Sequence, residues 1–156
     1  MSVRSGIGID SHRLAEGRRL VLGGVEIPHD RGLDGHSDAD VLTHAVIDAI
    51  LGAAGLGDIG ELFPDSDPSF KDADSLALLA EVLRRVAEDG WRVTHVDTTL
   101  AMERPKLKPH KAAIRDRLGA ALGCSLNLKA TTGERMGFVG REEGVAAFAV
   151  ATLERA

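Results

Sequence analysis

Residues 3–12 alternate with a period of two, and that alternation commits the start of the chain to a β-strand with two different faces. Val3, Ser5, Ile7 and Ile9 share one face; Gly6, Gly8, Asp10 and His12 share the other. The apolar set predicts the core side, and the second side reads as bare and glycine-lined. Downstream the period changes. Residues 19–27 predict a hairpin turning at Gly23-Gly24, and residues 32–36 a loop. Ser37 or Asp38 then opens a helix running to about Ala54. A stretch rich in Gly, Asp and Pro, residues 55–70, reads as loop. Leu76, Leu79, Ala80, Leu83, Val86 and Ala87 form a helical stripe, capped by Asp74 or Ser75 and stopped at Gly90. Residues 91–101 predict a strand, 102–109 a basic loop, and Ile114, Leu118, Ala121 and Leu122 a further helix ended by Gly123. Residues 126–132 and 144–153 predict two closing strands. Interleaving of this kind implies a sheet covered by helices.

Bulk properties narrow the class. At 156 residues the chain suits one domain, over 1–156, with a real core. Aromatics make up only 3%, so aliphatic side chains must do most of the packing. No apolar run is long enough to span a bilayer and no leader-like segment opens the chain, so neither membrane insertion nor export is expected. Cys124 is the single cysteine, which excludes an internal disulfide and suits a reducing, cytoplasmic setting. A net charge of −5 argues against nucleic-acid binding, though not against an anionic substrate, because a metal dominates its local field.

The strongest chemical signal joins the first strand to the first helix. Asp10 and His12, two apart, point the same way from the strand. His44 lies on a helix that is apolar nearly all round, broken by a line of Asp40, His44 and Asp48 at four-residue spacing. Carboxylates beside a buried imidazole are a common way to orient a metal-bound histidine. Two imidazoles and one carboxylate leave a fourth tetrahedral position open, as a catalytic zinc site requires; iron(II) accepts the same triad. The competing reading makes His12 a surface residue and His44 a satisfied core histidine.

Three segments have the composition of phosphate-binding loops. Gly35-His36-Ser37-Asp38 leads into the His44 helix, whose N-terminus would offer free N–H groups. Arg104-Pro105-Lys106-Leu107-Lys108-Pro109-His110 is cationic and pinned by two prolines. Ala130-Thr131-Thr132-Gly133-Glu134-Arg135 offers hydroxyls and a carboxylate for phosphate oxygens and a hard cation. Each alone reads as readily as a helix cap, a solvated turn or a β-turn.

Together, six segments in order resemble the 2-C-methyl-D-erythritol 2,4-cyclodiphosphate synthase family over essentially the whole chain. They are Gly8-Ile9-Asp10-Ser11-His12; residues 36–44; Gly57-Asp58-Ile59-Gly60 with Leu62-Phe63-Pro64-Asp65; Arg104-Pro105-Lys106; Lys129-Ala130-Thr131-Thr132; and Gly137-Phe138 with Gly140-Arg141. The resemblance implies a two-layer α+β subunit, a mixed β-sheet with helices on one face plus a β-hairpin, and a homotrimer with active sites between subunits. It implies closure of 4-diphosphocytidyl-2-C-methyl-D-erythritol 2-phosphate to the cyclic diphosphate with release of CMP. Asp10, His12 and His44 then match zinc ligands, and Glu134 matches the ligand of a second cation, Mg²⁺ or Mn²⁺. His36 and Thr132 match catalytic residues that stabilise the transition state. Substrate contacts extend to Asp10, Ser11, His12, His36 and Ser37; to Asp58, Ile59, Gly60, Phe63, Pro64, Asp65, Ser66 and Asp67 around methylerythritol; and to Met102, Glu103, Arg104, Pro105, Lys106, Leu107 and Lys108 around cytidine and diphosphate. Thr131, Thr132, Gly133 and Glu134 follow. Phe138 and Arg141 match substrate-binding residues that also lie near the trimer axis, where the family can hold an isoprenoid diphosphate. The family often has Thr or Asn where this chain has Gly133, and Leu at the position of Met136; the glycine implies a more mobile loop. Glu103 places an acid in a phosphate loop, and its side chain is expected to point away. Two other readings use the same residues: a zinc hydrolase with an activated water, and a non-catalytic isoprenoid- or nucleotide-sensing module.

Overall fold

In the computed structural model, which describes residues 1–156, strands β1 (Ser2–Ala15), β4 (Gly32–Leu33), β5 (Arg92–Ala101), β6 (Ser125–Thr131) and β7 (Gly144–Arg155) form a five-stranded sheet in the order β4-β1-β7-β5-β6. All pairings are antiparallel except β5 with β6, so the sheet is mixed. Strands β2 (Leu20–Leu22) and β3 (Val25–Ile27) make the separate hairpin. It turns at Gly23 and Gly24, whose φ values of 60° and 78° are those a tight two-residue turn demands.

Helices α1 (Val41–Ala54), α3 (Ser75–Glu88) and α4 (Lys111–Leu122) lie on one face of the sheet, joined by the short helices α2 (Ile59–Leu62) and α5 (Gly137–Gly140) in the loops. One apolar cluster fills the space between the layers, from Leu22 and Ile27 through Ile47, Ile50 and Leu79 to Leu100, Ile114 and Leu153. Each such side chain contributes roughly 1.5–3 kcal/mol when fully buried. No helix is long and apolar enough to cross a membrane.

Helix α1 is the central element, and all its residues but Asp48 and Gly52 are buried. Its approach to β1 reverses the predicted faces of that strand. Gly6 and Gly8 look into the core: a Cβ on Gly8 would run into the carbonyl oxygen of Ala45 and lie 2.7 Å from Ala49 N. The helix backbone therefore rests directly on the strand backbone, which only glycine allows. Val3, Ile7 and Ile9 face outward instead, 58%, 64% and 57% exposed. Across the strand pair, Ile7 stands opposite Val150 and Ile9 opposite Phe148, both also exposed. The face without helices thus carries a continuous apolar patch.

Other boundaries move for local reasons. Helix α1 begins at Val41, after the predicted Ser37 or Asp38, because Asp40 is its N-cap. The buried Asp40 carboxylate takes Thr43 N–H at 3.0 Å and Thr43 Oγ1–H at 2.9 Å, and also Gly23 N–H at 2.9 Å and Gly24 N–H at 2.7 Å. One carboxylate starts the helix and anchors the hairpin. The helix N-terminus is consequently capped and buried, and it is not the open phosphate cradle its sequence predicts.

Candidate metal centre and flanking clefts

Strand β1 and helix α1 bring Asp10, His12 and His44 to a single point. Asp10 Oδ2 lies 2.9 Å from His12 Nε2 and 3.1 Å from His44 Nδ1, and the two ring nitrogens are 3.4 Å apart. Zinc bonds of about 2.0–2.1 Å to four tetrahedral ligands give ligand–ligand edges of about 3.3 Å. The observed triangle has that size, so these residues form a group that can hold a divalent metal. The far nitrogens support this. His12 Nδ1 lies 3.0 Å from the Asp34 carbonyl, to which it donates, leaving Nε2 with a lone pair facing inward. Burial opposes the charge on Asp10, yet the adjoining imidazoles of His12 and His44, when protonated, outweigh it and hold its carboxyl at about pKa 2. Burial likewise opposes charge on His12, and the Asp10 carboxylate overrides it to raise the imidazole pKa.

The predicted carboxylate line does not orient His44. Asp40 is used up in the cap. Asp48 turns to Ile59 N–H at 2.8 Å, with its pKa raised by burial against that hydrogen bond. Asp48 thereby fixes α2, which delivers Ile59 and Gly60 to the site. What His44 Nε2 meets is Ser75 Oγ at 2.7 Å and Ser37 Oγ at 3.2 Å. A serine 31 positions downstream carries no spacing signal toward His44, so sequence reasoning missed it.

A cleft of about 370 Å³ opens over the triad. It is lined by Asp10, His12, His36, Ser37 and His44, and on the other side by Ile59, Gly60, Phe63 and Asp65. His36 Nε2 points at the Asp67 carbonyl, 3.3 Å away. The remaining methylerythritol candidates shape this rim without lining the cleft: Asp58 caps α2 through Glu61 N–H, and Asp67 takes Ser69 N–H at 2.9 Å. Pro64 and Ser66 lie between them in the same loop.

The other predicted loops gather elsewhere. Met102, Lys106, Leu107 and Lys108 line a second cleft of about 200 Å³ with Thr131 and Thr132, at the β5–β6 edge. Arg104 is not a free cation: its guanidinium grips Glu142 with a bidentate pair at 2.7 and 2.9 Å. Glu103 turns onto the neighbouring loop and accepts Gly133 N–H at 3.0 Å. Thr132 Oγ1 accepts Glu134 N–H at 3.2 Å, and Glu134 and Arg135 have φ of 52° and 63°. Gly133 is closely packed: a Cβ there would lie 2.8 Å from Met136 O and closer still to Gly140 N. Phe138, 43% exposed, lines a third cleft of about 220 Å³ with Ser11 and His12, and nearby Arg141 pairs with Glu143 at 3.3 Å. In one chain the Lys106–Thr132 cleft is therefore separate from the metal cleft, whereas the Phe138 cleft adjoins the metal cleft at His12.

A two-layer α+β chain whose open cleft ends on a carboxylate and two inward-facing imidazoles is the frame of a metal-dependent enzyme. The profile of the YgbB family matches residues 3–154, and the chain belongs to that family. It is 62% identical to a bifunctional enzyme IspD/IspF of Anaeromyxobacter dehalogenans over 99% of this chain, which spans 40% of that protein. It is 55% identical to a 2-C-methyl-D-erythritol 2,4-cyclodiphosphate synthase of Chlorobium phaeobacteroides, over 97% of this chain and 98% of the relative. Among solved structures, a 2C-methyl-D-erythritol-2,4-cyclodiphosphate synthase in a CDP-bound form superposes with a TM-score of 0.89 at 41% identity, covering 97% of this chain and all of that one. The bifunctional IspDF from Campylobacter jejuni gives 0.95 at 44% identity over 99% of this chain and 43% of its own length.

Proposed function

We propose that the chain converts 4-diphosphocytidyl-2-C-methyl-D-erythritol 2-phosphate into 2-C-methyl-D-erythritol 2,4-cyclodiphosphate and CMP, a step of non-mevalonate isoprenoid biosynthesis. The observation that carries this reading is the convergence of three ligand atoms within 3.4 Å beneath an open cleft, in a chain more than half identical to full-length synthases. The catalytic unit is a single domain over 1–156 acting in the cytoplasm.

An oxygen of the substrate's 2-phosphate attacks the β-phosphorus of the same molecule. The bond from that phosphorus to the bridging α–β oxygen breaks, and CMP leaves with the electron pair. A phosphate oxygen is already ionised near neutral pH, so no strong base is needed and the protein's task is folding the substrate and stabilising charge. Zn²⁺ on Asp10, His12 and His44, and Mg²⁺ or Mn²⁺ at Glu134, would polarise the phosphorus and neutralise the leaving group. His36 and the Thr132 hydroxyl donate hydrogen bonds to the transferring phosphate; each preorganised contact lowers the barrier by roughly 3 kcal/mol. Ser11 and Ser37 flank the ligands, Asp58 to Asp67 enclose methylerythritol, and Met102 to Lys108 with Thr131 to Glu134 hold cytidine and diphosphate.

The separation of the clefts supports the predicted homotrimer. The metal cleft belongs to β1 and the Lys106–Thr132 cleft to β5 and β6, with β7 between. Two to three inter-strand steps amount to about 10–14 Å. A neighbouring subunit docked on the exposed Val3, Ile7, Ile9, Phe148 and Val150 face would bring its own nucleotide loop to this metal cleft. Phe138 and Arg141 would then face the axis, where an isoprenoid diphosphate fits the combination of apolar ring and cation.

Incubating the chain with the cytidine substrate and following products by ³¹P NMR tests the proposal. A cyclic diphosphate with stoichiometric CMP is expected. An uncyclised phosphate with CMP would instead establish a zinc hydrolase. His44→Ala is expected to lower turnover by about 10²–10³-fold; unaltered turnover would overturn the assignment of His44, and a wild type without turnover would point to a non-catalytic module.

A further inference from the structure

His44 offers Nδ1 to the triad, and that choice requires its proton to sit on Nε2. Beyond Nε2 lies Ser75, the first residue of α3 and fully buried. Its hydroxyl oxygen is 2.7 Å from His44 Nε2 and also bonds Asp38 Oδ1. Its backbone N–H donates to Asp38 Oδ2 at 2.9 Å, and Asp40 N–H donates to Asp38 Oδ1 at 3.1 Å. Asp38 itself is held by its own N–H on the Ala73 carbonyl at 3.2 Å.

Proton counting fixes the direction of this chain of contacts. A serine hydroxyl has one proton to give. Both oxygens of Asp38 already accept backbone N–H groups, so Asp38 takes the hydroxyl proton as a further acceptor. Ser75 Oγ is left to face His44 with a lone pair at 2.7 Å, so Nε2 is the N–H, with Ser37 Oγ at 3.2 Å as a second, longer acceptor. Nδ1 then shows its lone pair to Asp10 Oδ2 and His12 Nε2, at 3.1 and 3.4 Å. The Asp34 carbonyl does the same for His12 from the other side.

We propose that Ser75 and Asp38 form a proton-directing relay that holds His44 as its Nε2–H tautomer and so presents Nδ1 to the metal. Both are positioning residues that act through His44 and touch neither metal nor substrate. The inference rests on the reading of Asp10, His12 and His44 as metal ligands. It also gives the start of α3 a role in the site: the relay ties the loop before α1 to α3 across His44, so the helix layer sets the ligand's orientation.

The test compares the full-length chain with Ser75→Ala and Ser75→Thr. Imidazole ¹⁵N NMR of the metal-free proteins in mildly alkaline buffer reads the His44 tautomer. Competition with a chromophoric chelator reads Zn²⁺ affinity, and thermal melting of the metal-free proteins reads the fold. Wild type is expected to show the Nε2–H tautomer. Ser75→Ala is expected to mix the tautomers and weaken Zn²⁺ binding by roughly 10–100-fold, and Ser75→Thr, which keeps a hydroxyl, to recover most of that loss. An Nδ1–H tautomer in wild type overturns the relay. So does a Ser75→Ala protein that melts earlier yet keeps tautomer and affinity, since Ser75 would then be structural only. If wild type binds no Zn²⁺, the ligand reading fails, and the relay is judged on the tautomer in the metal-free protein alone. If Ser75→Ala does not fold, the wild-type tautomer and the Ser75→Thr affinity decide.

Discussion

At the scale of single residues, Gly6 and Gly8 decide how far α1 can descend onto β1, and so whether His44 reaches Asp10. Gly8→Ala places a methyl inside the Ala45 carbonyl and against Ala49 N. Neither backbone can yield without moving the helix. We expect a loss of at least about 1–3 kcal/mol, read as a lower denaturation midpoint, together with weaker Zn²⁺ binding as the triad opens; unchanged stability would refute the close contact. A second residue-scale prediction concerns protons. The imidazole pKa of His12 is raised by Asp10, whereas the Asp10 carboxyl is held at about 2. Metal binding near neutral pH must therefore displace a proton from His12, not from Asp10. Affinity should rise with pH, up to tenfold per unit for each proton displaced, and level off once pH passes the raised His12 value. Calorimetry across that range measures it, and a pH-independent affinity below the plateau would contradict the assigned ligand. The triad was legible in part: strand period puts Asp10 and His12 on one face and the polar line on the apolar helix marks His44, but no period says that the glycine-lined face, not the apolar one, meets α1. Ser75 and Asp38 were not legible, because no local period links residues that meet only when α3 docks. The outward turn of Ile7 and Ile9 was misjudged for a related reason: apolar residues announce burial, but a sequence does not say whether a helix or another subunit covers them.

At the scale of elements, the four long strands, the hairpin and the three long helices were readable from period and caps, whereas the two-residue β4 and the one-turn α2 fell in stretches read as loop, too short to show a period. Helix α1 shows how tertiary contacts shift an end. Ser37 and Asp38 are good starters, but the hairpin turn needs an acceptor for two buried N–H groups, and Asp40 supplies it while capping the helix. Asp40→Ala removes the partner of four donors at once. With about 1–3 kcal/mol for each buried group left unpaired, the loss should exceed roughly 3 kcal/mol. Amide exchange should speed at Gly23, Gly24 and Thr43 ahead of global unfolding. Protection that persists at the hairpin turn would show that Asp40 is not its anchor. The loops were the least legible elements. Nothing local revealed that the Arg104 guanidinium pairs with Glu142, 38 positions away. Gly133 implied mobility by composition, yet it is the residue that lets the Glu134 loop pack on Gly140.

For the whole molecule, the sheet has one face under helices and one bare, and the bare face carries the apolar patch formed by Val3, Ile7, Ile9, Phe148 and Val150. Contiguous apolar surface on a sheet implies a partner surface. Here the proposed partner is another copy, because one chain separates its metal cleft from its nucleotide-loop cleft by an intervening strand. Metal binding and catalysis should accordingly come apart when the subunits do. Ile7→Lys combined with Phe148→Glu puts charge where the interface would have to desolvate it, a cost far above that of an exposed pair. Neither side chain packs in the core, so the monomer should keep its fold and its Zn²⁺ stoichiometry, since Asp10, His12 and His44 come from one chain. Sedimentation should show monomers, and cyclisation should fall to background while Zn²⁺ remains bound. A monomeric variant that turns over at the wild-type rate would mean that the three clefts of one subunit suffice. A variant that still sediments as a trimer would move the interface to another face of the molecule.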